Sequence, residues 1–386
     1  MDSVLPCPSP RNRRRARSAR PRRLAGRTGL RARAGGGRAR LTARLVALLG
    51  VLALAATVWG TALAAGQVRP PEQPSRGPGG SDYLYGRVEA SRHGEGAQAF
   101  WLFEPDAPRP RSAPLVLFLH GWRNVDPRTY GAWIEHLVRK GAVVVYPRYQ
   151  ESLTSSPSAM MDAAAAATEA ALQELARPGH VRPDLDRVVF VGHSLGAVMA
   201  ANLAAEAQAG DLPRPAAMAL LNPADVSPWP GLDLPGKLMR ASYEAIPAST
   251  RLLLVVGDQD ILAGERYARA LWERLAQIPD DRRNAVRLVS DDYGTPRLSA
   301  NHTAPQAPGG RWAQTQEEPD TLLSDVLEGS VDALDHHGYW KLVDALMACT
   351  FEARWCEYVL GNDEAVRSMG RWSDGRRVNE AAIVRW

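Results

Sequence analysis

The decapeptide VVFVGHSLGA, Val188–Ala197, sets Ser194 in a G-x-S-x-G pattern where an apolar run gives way to a helical one. A serine hydroxyl is a weak nucleophile at neutral pH, so acyl transfer through it needs an imidazole to take the proton and a carboxylate to orient that imidazole. Residues of both types follow. LLLVVGDQD supplies Asp258 and Asp260 at the end of an apolar stretch, NPADVS supplies Asp225, and RLVSDDYGTPRLSANHTAP supplies His302. His336 and His337 fall within a helical pattern beside Trp340 and Leu342, where a histidine more often belongs to a helix face than to a catalytic base. Adjacent helical residues point in different directions and no acid-rich motif accompanies them, so no metal site is expected. His193 points away from the serine and is expected to be structural.

These residues need a scaffold, and period and punctuation supply one. YLYGRVEA and QAFWLFEP read as two leading strands, followed by the wholly apolar LVLFLHG. DPRTYGAWIEHLVRKG reads as a helix, with Asp126 as N-cap, Pro127 at its first position and Gly141 past its end. AVVVYPRY is another strand, and Met160 to Ala176 an alanine-rich helix. RVVFVGHS enters the serine motif as a strand and LGAVMAANLAAEAQA leaves it as a helix. Strands AAMALLN, RLLLVVG and AVRLVS follow, with the helix GERYARALWERLAQI between the last two and a final helix around TLLSDVLEGSVDALDHHGYWKLVDALMA. Apolar strands alternating with amphipathic helices predict an α/β fold, a mostly parallel sheet of about eight strands covered by helices on both faces. A strand-turn-helix around G-x-S-x-G is the setting of a nucleophile elbow, in which glycines let strand and helix approach and free N–H groups of the helix favour an anion.

Over roughly residues 83 to 350 the chain resembles the α/β-hydrolase superfamily, of the esterase and lipase type. The resemblance implies the order nucleophile, acid after a later strand, histidine after the last strand. Ser194 then matches the nucleophile, the G-x-x-D placement at Gly257–Asp260 implies Asp260 as the acid ahead of Asp258 and Asp225, and His302 matches the base. LFLHGW is similar to the H-G segment that places an oxyanion-hole amide, which implies the backbone N–H groups of Trp122 and Leu195 as donors. Such a site needs neither cofactor nor metal. Only about 28 residues separate Leu221 from Thr250, too few for a cap domain. An open cleft is expected, with Trp122, Tyr149 and Trp229 as candidate walls, each equally compatible with a place in the core. The overall pattern is similar to dienelactone-hydrolase, chlorophyllase and cutinase-like esterases, implying hydrolysis of accessible lipid, polyester or cell-envelope esters. An acyltransferase or a serine peptidase would use the same residues. A membrane-tethered binding protein with an idle serine is a reading from another class.

Charge is distributed unevenly along the 386 residues. Residues 1–44 carry 14 Arg and one acid, so the overall net charge of +5 leaves −8 for the remainder. Basic charge confined to a leader does not fit a globular nucleic-acid binder, and no nucleic-acid partner is expected. After Arg44 come 24 uncharged residues, Leu45–Val68. Their length suits a transmembrane anchor over 45–65, while Ala62-Leu63-Ala64 has the form of a signal-peptide cleavage site. Either reading exports the rest, to the bacterial cell surface or beyond, because the arginines hold the N-terminus inside. Residues 66–82, with four Pro and four Gly, read as a linker, and a hydrolase domain with a helical C-terminal extension is expected over 83–386. Cys349 and Cys356 lie in the exported part. Seven residues of unbroken helix would hold their Cα atoms about 10 Å apart, so a bridge requires a break between them, and both outcomes stay open.

Overall fold

A computed structural model describes residues 67–208, 210, 212–225, 238–240, 242–315 and 329–386. The arginine-rich leader, the apolar segment 45–65 and Trp229 lie outside the described residues.

Among the described residues, nine strands form one sheet: β1 (Arg87–His93), β2 (Phe100–Asp106), β3 (Ser112–Leu119), β4 (Val143–Pro147), β5 (Arg182–His193), β6 (Ala217–Leu221), β7 (Arg251–Gly257), β8 (Arg283–Leu288) and β9 (Ala382–Ile383). Their spatial order is β1-β2-β4-β3-β5-β6-β7-β8-β9. The six strands from β4 to β8 run parallel, and β1, β2 and β9 are antiparallel additions at the edges. The expected α/β sheet is present, and the described residues include no cap domain. The strand absent from the sequence reading is β9, whose two residues are too few to carry a period.

Period-two alternation divides the central strands between two cores. Leu115, Leu117, Val143, Val145, Val188 and Phe190 face one side, under helices α2 (Pro157–Leu175), α3 (Leu195–Glu206) and α4 (Arg266–Arg274). Val116, Phe118, Val144, Tyr146, Val189 and Val191 face the other, under α1 (Gly131–Arg139) and α5 (Trp340–Glu352). Both faces are covered, which is why the strands are apolar throughout. Capping follows the sequence: Asp126 accepts from Arg128 N ahead of a 3₁₀ turn that opens α1, and the Ser156 hydroxyl accepts from Ala159 N at the start of α2. The final helix carries a π-turn at Asp335–Tyr339 just before α5 begins, and residues 321–328 of the expected helix lie outside the described residues.

Strand order also locates the place for a site. From β3 the chain moves outward to β4, then returns across to β5 on the other side of β3. A crevice opens at the carboxyl ends of strands flanking such a reversal. The His120-Gly121-Trp122 segment leaves β3 there, and Ser194 leaves β5 beside it, with Leu119 and Gly192 in register.

One boundary differs from the sequence expectation, and one open question is answered. The proline-rich segment 67–82, expected as a linker, is bonded along the folded body: Thr295 N donates to the Val68 carbonyl at 2.8 Å, Ser373 N to Arg69 O at 3.0 Å, and Gly79 N to Asp344 Oδ2 at 2.8 Å. Prolines here restrict the chain to an extended path whose remaining backbone groups find partners on the body, so composition alone misled. Between the cysteines, α5 stops at Glu352, and Ala353 and Trp355 turn left-handed. That break brings the Cα atoms of Cys349 and Cys356 to 4.7 Å, and a disulfide joins them.

Candidate active site

The turn from β5 into α3 is tight enough to hold Ser194 at φ 57° and ψ −122°, a region that costs a non-glycine residue about 1–3 kcal/mol. Surrounding backbone enforces it. Ser194 N donates to the Leu221 carbonyl at 2.9 Å, while its own carbonyl accepts from Ala197 N at 3.0 Å and Ala224 N at 3.1 Å. Glycine is required on both sides, since a Cβ at Gly192 would strike the Gly196 backbone and one at Gly196 would strike the carbonyl oxygens of Leu119 and His120.

His302 meets this serine from a loop that follows β8. Ser194 Oγ lies 2.8 Å from His302 Nε2, and His302 Nδ1 lies 2.8 Å from Asp260 Oδ2. A carboxylate only accepts, so Nδ1 carries the proton and Nε2 offers its lone pair to the serine hydroxyl. The loop returns to the end of β7 at backbone distance: a Cβ on Gly257 would strike the Ala300 carbonyl, and Gln259 N donates to that same carbonyl at 3.0 Å. Asp260 is buried, and its second oxygen accepts from Leu262 N at 3.1 Å and Ala263 N at 2.9 Å. Burial pushes its pKa up, but the bond and charge of His302 together with the Ala263 amide outweigh that and hold it below the usual carboxylate value.

Asp258, the alternative acid, points elsewhere. It accepts from Ser290 N at 3.0 Å and Ser290 Oγ at 2.5 Å, and that hydroxyl accepts from Ala300 N at 2.9 Å. Asp258 thus fastens the base of the His302 loop. Asp225 accepts from the amides of Leu238 and Met239.

The loop after β3 closes over the serine from the opposite side. A methyl added at Gly121 would stand 3.3 Å from Ser194 Cβ. Within this loop Gly121 N donates to Tyr130 Oη at 3.1 Å, Arg123 N to Gln150 Oε1 at 2.7 Å and Asn124 N to the Gly121 carbonyl at 3.1 Å. Among the described residues the Trp122 amide takes part in none of these bonds. Leu195 opens α3, where helix geometry leaves its N–H without an intrahelical partner.

The chlorophyllase family model matches residues 88–227, from β1 through the elbow to the loop beyond β6. With that match, the strand order and the elbow agree on one architecture. The chain has the α/β-hydrolase fold. No curated protein matches the sequence. The matched part of the chain contains Trp122, Ser194 and Leu195, whereas Asp260 and His302 lie beyond it, so their placement rests on the geometry alone.

Tyr149, expected as a cleft wall, is buried beneath the loop after β3. Its ring stacks on His120 at 3.9 Å between centroids, and its hydroxyl donates to the His120 carbonyl. It supports the loop, because a fully buried ring stacked in this way presents no face to a substrate. Trp122 is nearly buried at the site. His336 packs edge-on to Trp340 and burial lowers its pKa to about 4, while His337 Nε2 lies 2.9 Å from the Glu72 carbonyl. Among the described residues, no helix is long and apolar enough to cross a membrane.

Several supporting residues carried no sequence signal. Asn222, just past β6 at φ 44°, donates from Nδ2 to the Asn301 carbonyl at 3.0 Å and accepts from Tyr339 Oη at 3.1 Å. Tyr130 Oη lies 2.7 Å from Nδ1 of His193, the residue before the nucleophile, yet nothing in DPRTYG distinguishes it from a core tyrosine.

Proposed function

We propose that the chain is a serine hydrolase of carboxylic esters, with Ser194 as nucleophile, His302 as general base and acid, and Asp260 as its orienting carboxylate. The observation that carries this reading is the unbroken Ser194–His302–Asp260 hydrogen-bond chain, 2.8 Å at each step. His302 takes the Ser194 proton as Oγ attacks the ester carbonyl, then returns it to the leaving alkoxide. Asp260 keeps the ring in the required tautomer and stabilises the imidazolium. The amides of Trp122 and Leu195 receive the oxyanion, a role typically worth about 3 kcal/mol per donor. Water, activated by the same imidazole, then releases the acyl group from Ser194.

The chlorophyllase match supports an ester over an amide as substrate. The short segment between β6 and β7 supports an open cleft, suited to lipid, polyester or cell-envelope esters. Export, through an anchor or signal peptide at 45–65, is supported by the Cys349–Cys356 disulfide, a bond that persists in oxidising compartments.

A fluorophosphonate, which reacts with activated serines, tests the reading on the full-length chain, with the adduct located by peptide mass spectrometry. Labelling at Ser194 that is lost in His302→Ala is the expected result, and an ester chain-length series then defines the acyl group. An unlabelled Ser194 in folded protein would overturn the hydrolase reading. Product analysis with an added alcohol separates hydrolysis from acyl transfer.

A further inference from the structure

His193 stands between Gly192 and the nucleophile, and its ring is buried. Its Nε2 lies 2.8 Å from the His302 carbonyl oxygen and its Nδ1 lies 2.7 Å from Tyr130 Oη. A carbonyl only accepts, so Nε2 carries the proton. Nδ1 is then bare and must accept from the tyrosine hydroxyl. That hydroxyl, having given its hydrogen, takes the Gly121 amide at 3.1 Å and Asn124 Nδ2 at 3.0 Å on its lone pairs. Every donor and acceptor in the chain Gly121 N–H, Tyr130, His193, His302 C=O has one direction and one partner for it.

Burial keeps that direction fixed. It lowers the His193 pKa to about 3, helped by the neighbouring His302 charge, and raises that of the Tyr130 phenol. Both groups stay neutral wherever an imidazole base can work. His193 makes no bond to the Ser194 hydroxyl, and its ring centroid is 5.3 Å from that of His302. What it grips is the backbone of the base. The preceding carbonyl, Asn301 O, is gripped in the same way by Asn222 Nδ2. Two successive peptide groups of the loop are therefore pinned by side chains rooted at the ends of β5 and β6.

We propose that His193 and Tyr130 are positioning residues that join the loop carrying Gly121 and Trp122 to the loop carrying His302, and so set the His302 imidazole against Ser194. The kinetic consequence rests on the serine-hydrolase reading. The geometric consequence does not. A misplacement of about 1 Å in a catalytic group costs on the order of 10²-fold in rate.

The test uses the full-length chain with three substitutions. His193→Phe removes donor and acceptor, His193→Gln returns an N–H donor at a similar reach, and Tyr130→Phe removes the hydroxyl. Two readouts are taken beside thermal unfolding: the His302 Nδ1 proton resonance by NMR, and the second-order rate of Ser194 phosphonylation. His193→Phe is expected to shift or broaden that resonance and to slow phosphonylation by roughly 10- to 100-fold, with KM for an ester changed far less than kcat. His193→Gln is expected to recover most of both, and Tyr130→Phe to fall between. Wild-type resonance and rate in folded His193→Phe, or a Gln variant as impaired as the Phe variant, would overturn the proposal. Should His193→Phe fail to fold, an unaltered His302 resonance in Tyr130→Phe overturns it equally. A wild-type Ser194 that resists phosphonylation, with a His302 resonance that still responds to His193, would sink the hydrolase reading and leave the positioning role standing.

Discussion

His302 Nδ1 and Asp260 Oδ2 stand 2.8 Å apart although 42 residues separate them in the chain. One helix and one strand do not need so many. The surplus is the loop after β8, which doubles back through an Asp291–Leu298 bridge and lays Ala300 against Gly257. The contact depends on this return, and the two aspartates near it have separable duties.

Asp260→Asn is expected to lower kcat for an activated ester by about 10⁴-fold, because an amide at this position favours the wrong histidine tautomer. Asp258→Asn keeps one acceptor for Ser290 and should cost no more than about tenfold. Steady-state kinetics of both variants decide the matter, and equal losses would mean that the two carboxylates act together.

The lowered pKa of Asp260 has a consequence for stability. The unfolded chain holds this proton with a pKa of about 3.9, the folded chain with a lower one. Between the two values the unfolded state binds more protons, so stability rises with pH. The advantage of wild type over Asp260→Asn should be fully present above about pH 5 and shrink as the pH falls through the folded value. Urea unfolding across this range measures it, and a constant difference would contradict the assigned shift.

Ser194→Ala should abolish phosphonylation and reduce ester turnover by about 10⁴-fold or more. Ser194→Gly should be as inactive yet more stable than Ser194→Ala by about 1 kcal/mol, since glycine alone tolerates the positive φ without strain. Comparison of the two inactive variants by denaturant unfolding isolates the backbone cost of the elbow.

Gly196→Ala adds one methyl, and it would collide with the carbonyl oxygens of Leu119 and His120. Neither is a flexible group. A loss of about 3 kcal/mol or more is expected, read from the thermal midpoint. A wild-type midpoint would show that α3 can move away from β3.

Cys349 and Cys356 should resist alkylation until a reductant is added. Removing their short bridge, by reduction or by Cys356→Ala, should destabilise the chain by roughly 2 kcal/mol on the loop-entropy account. Activity should survive, because α5 packs against the side of the sheet remote from α2, α3 and α4.

Local pattern determined the strands from β1 to β8, the helix cap at Asp126, the elbow and the glycines around Ser194, because each rests on residues close enough in sequence to constrain one another. It also narrowed the partners of Ser194 to a few acids and histidines. The choice between Asp258 and Asp260 was different, since each sits at the end of the same strand and only the path of a distant loop decides which one faces an imidazole. Tertiary structure alone placed Tyr149 beneath the loop after β3 instead of in a cleft wall, bonded 67–82 to the body, and broke α5 so that two cysteines meet. It alone also revealed the grip of His193 on the His302 backbone. A hydrogen bond between residues 109 positions apart leaves no period, cap or spacing in the chain. Its partners are chosen by packing, and packing is a property of the whole sheet.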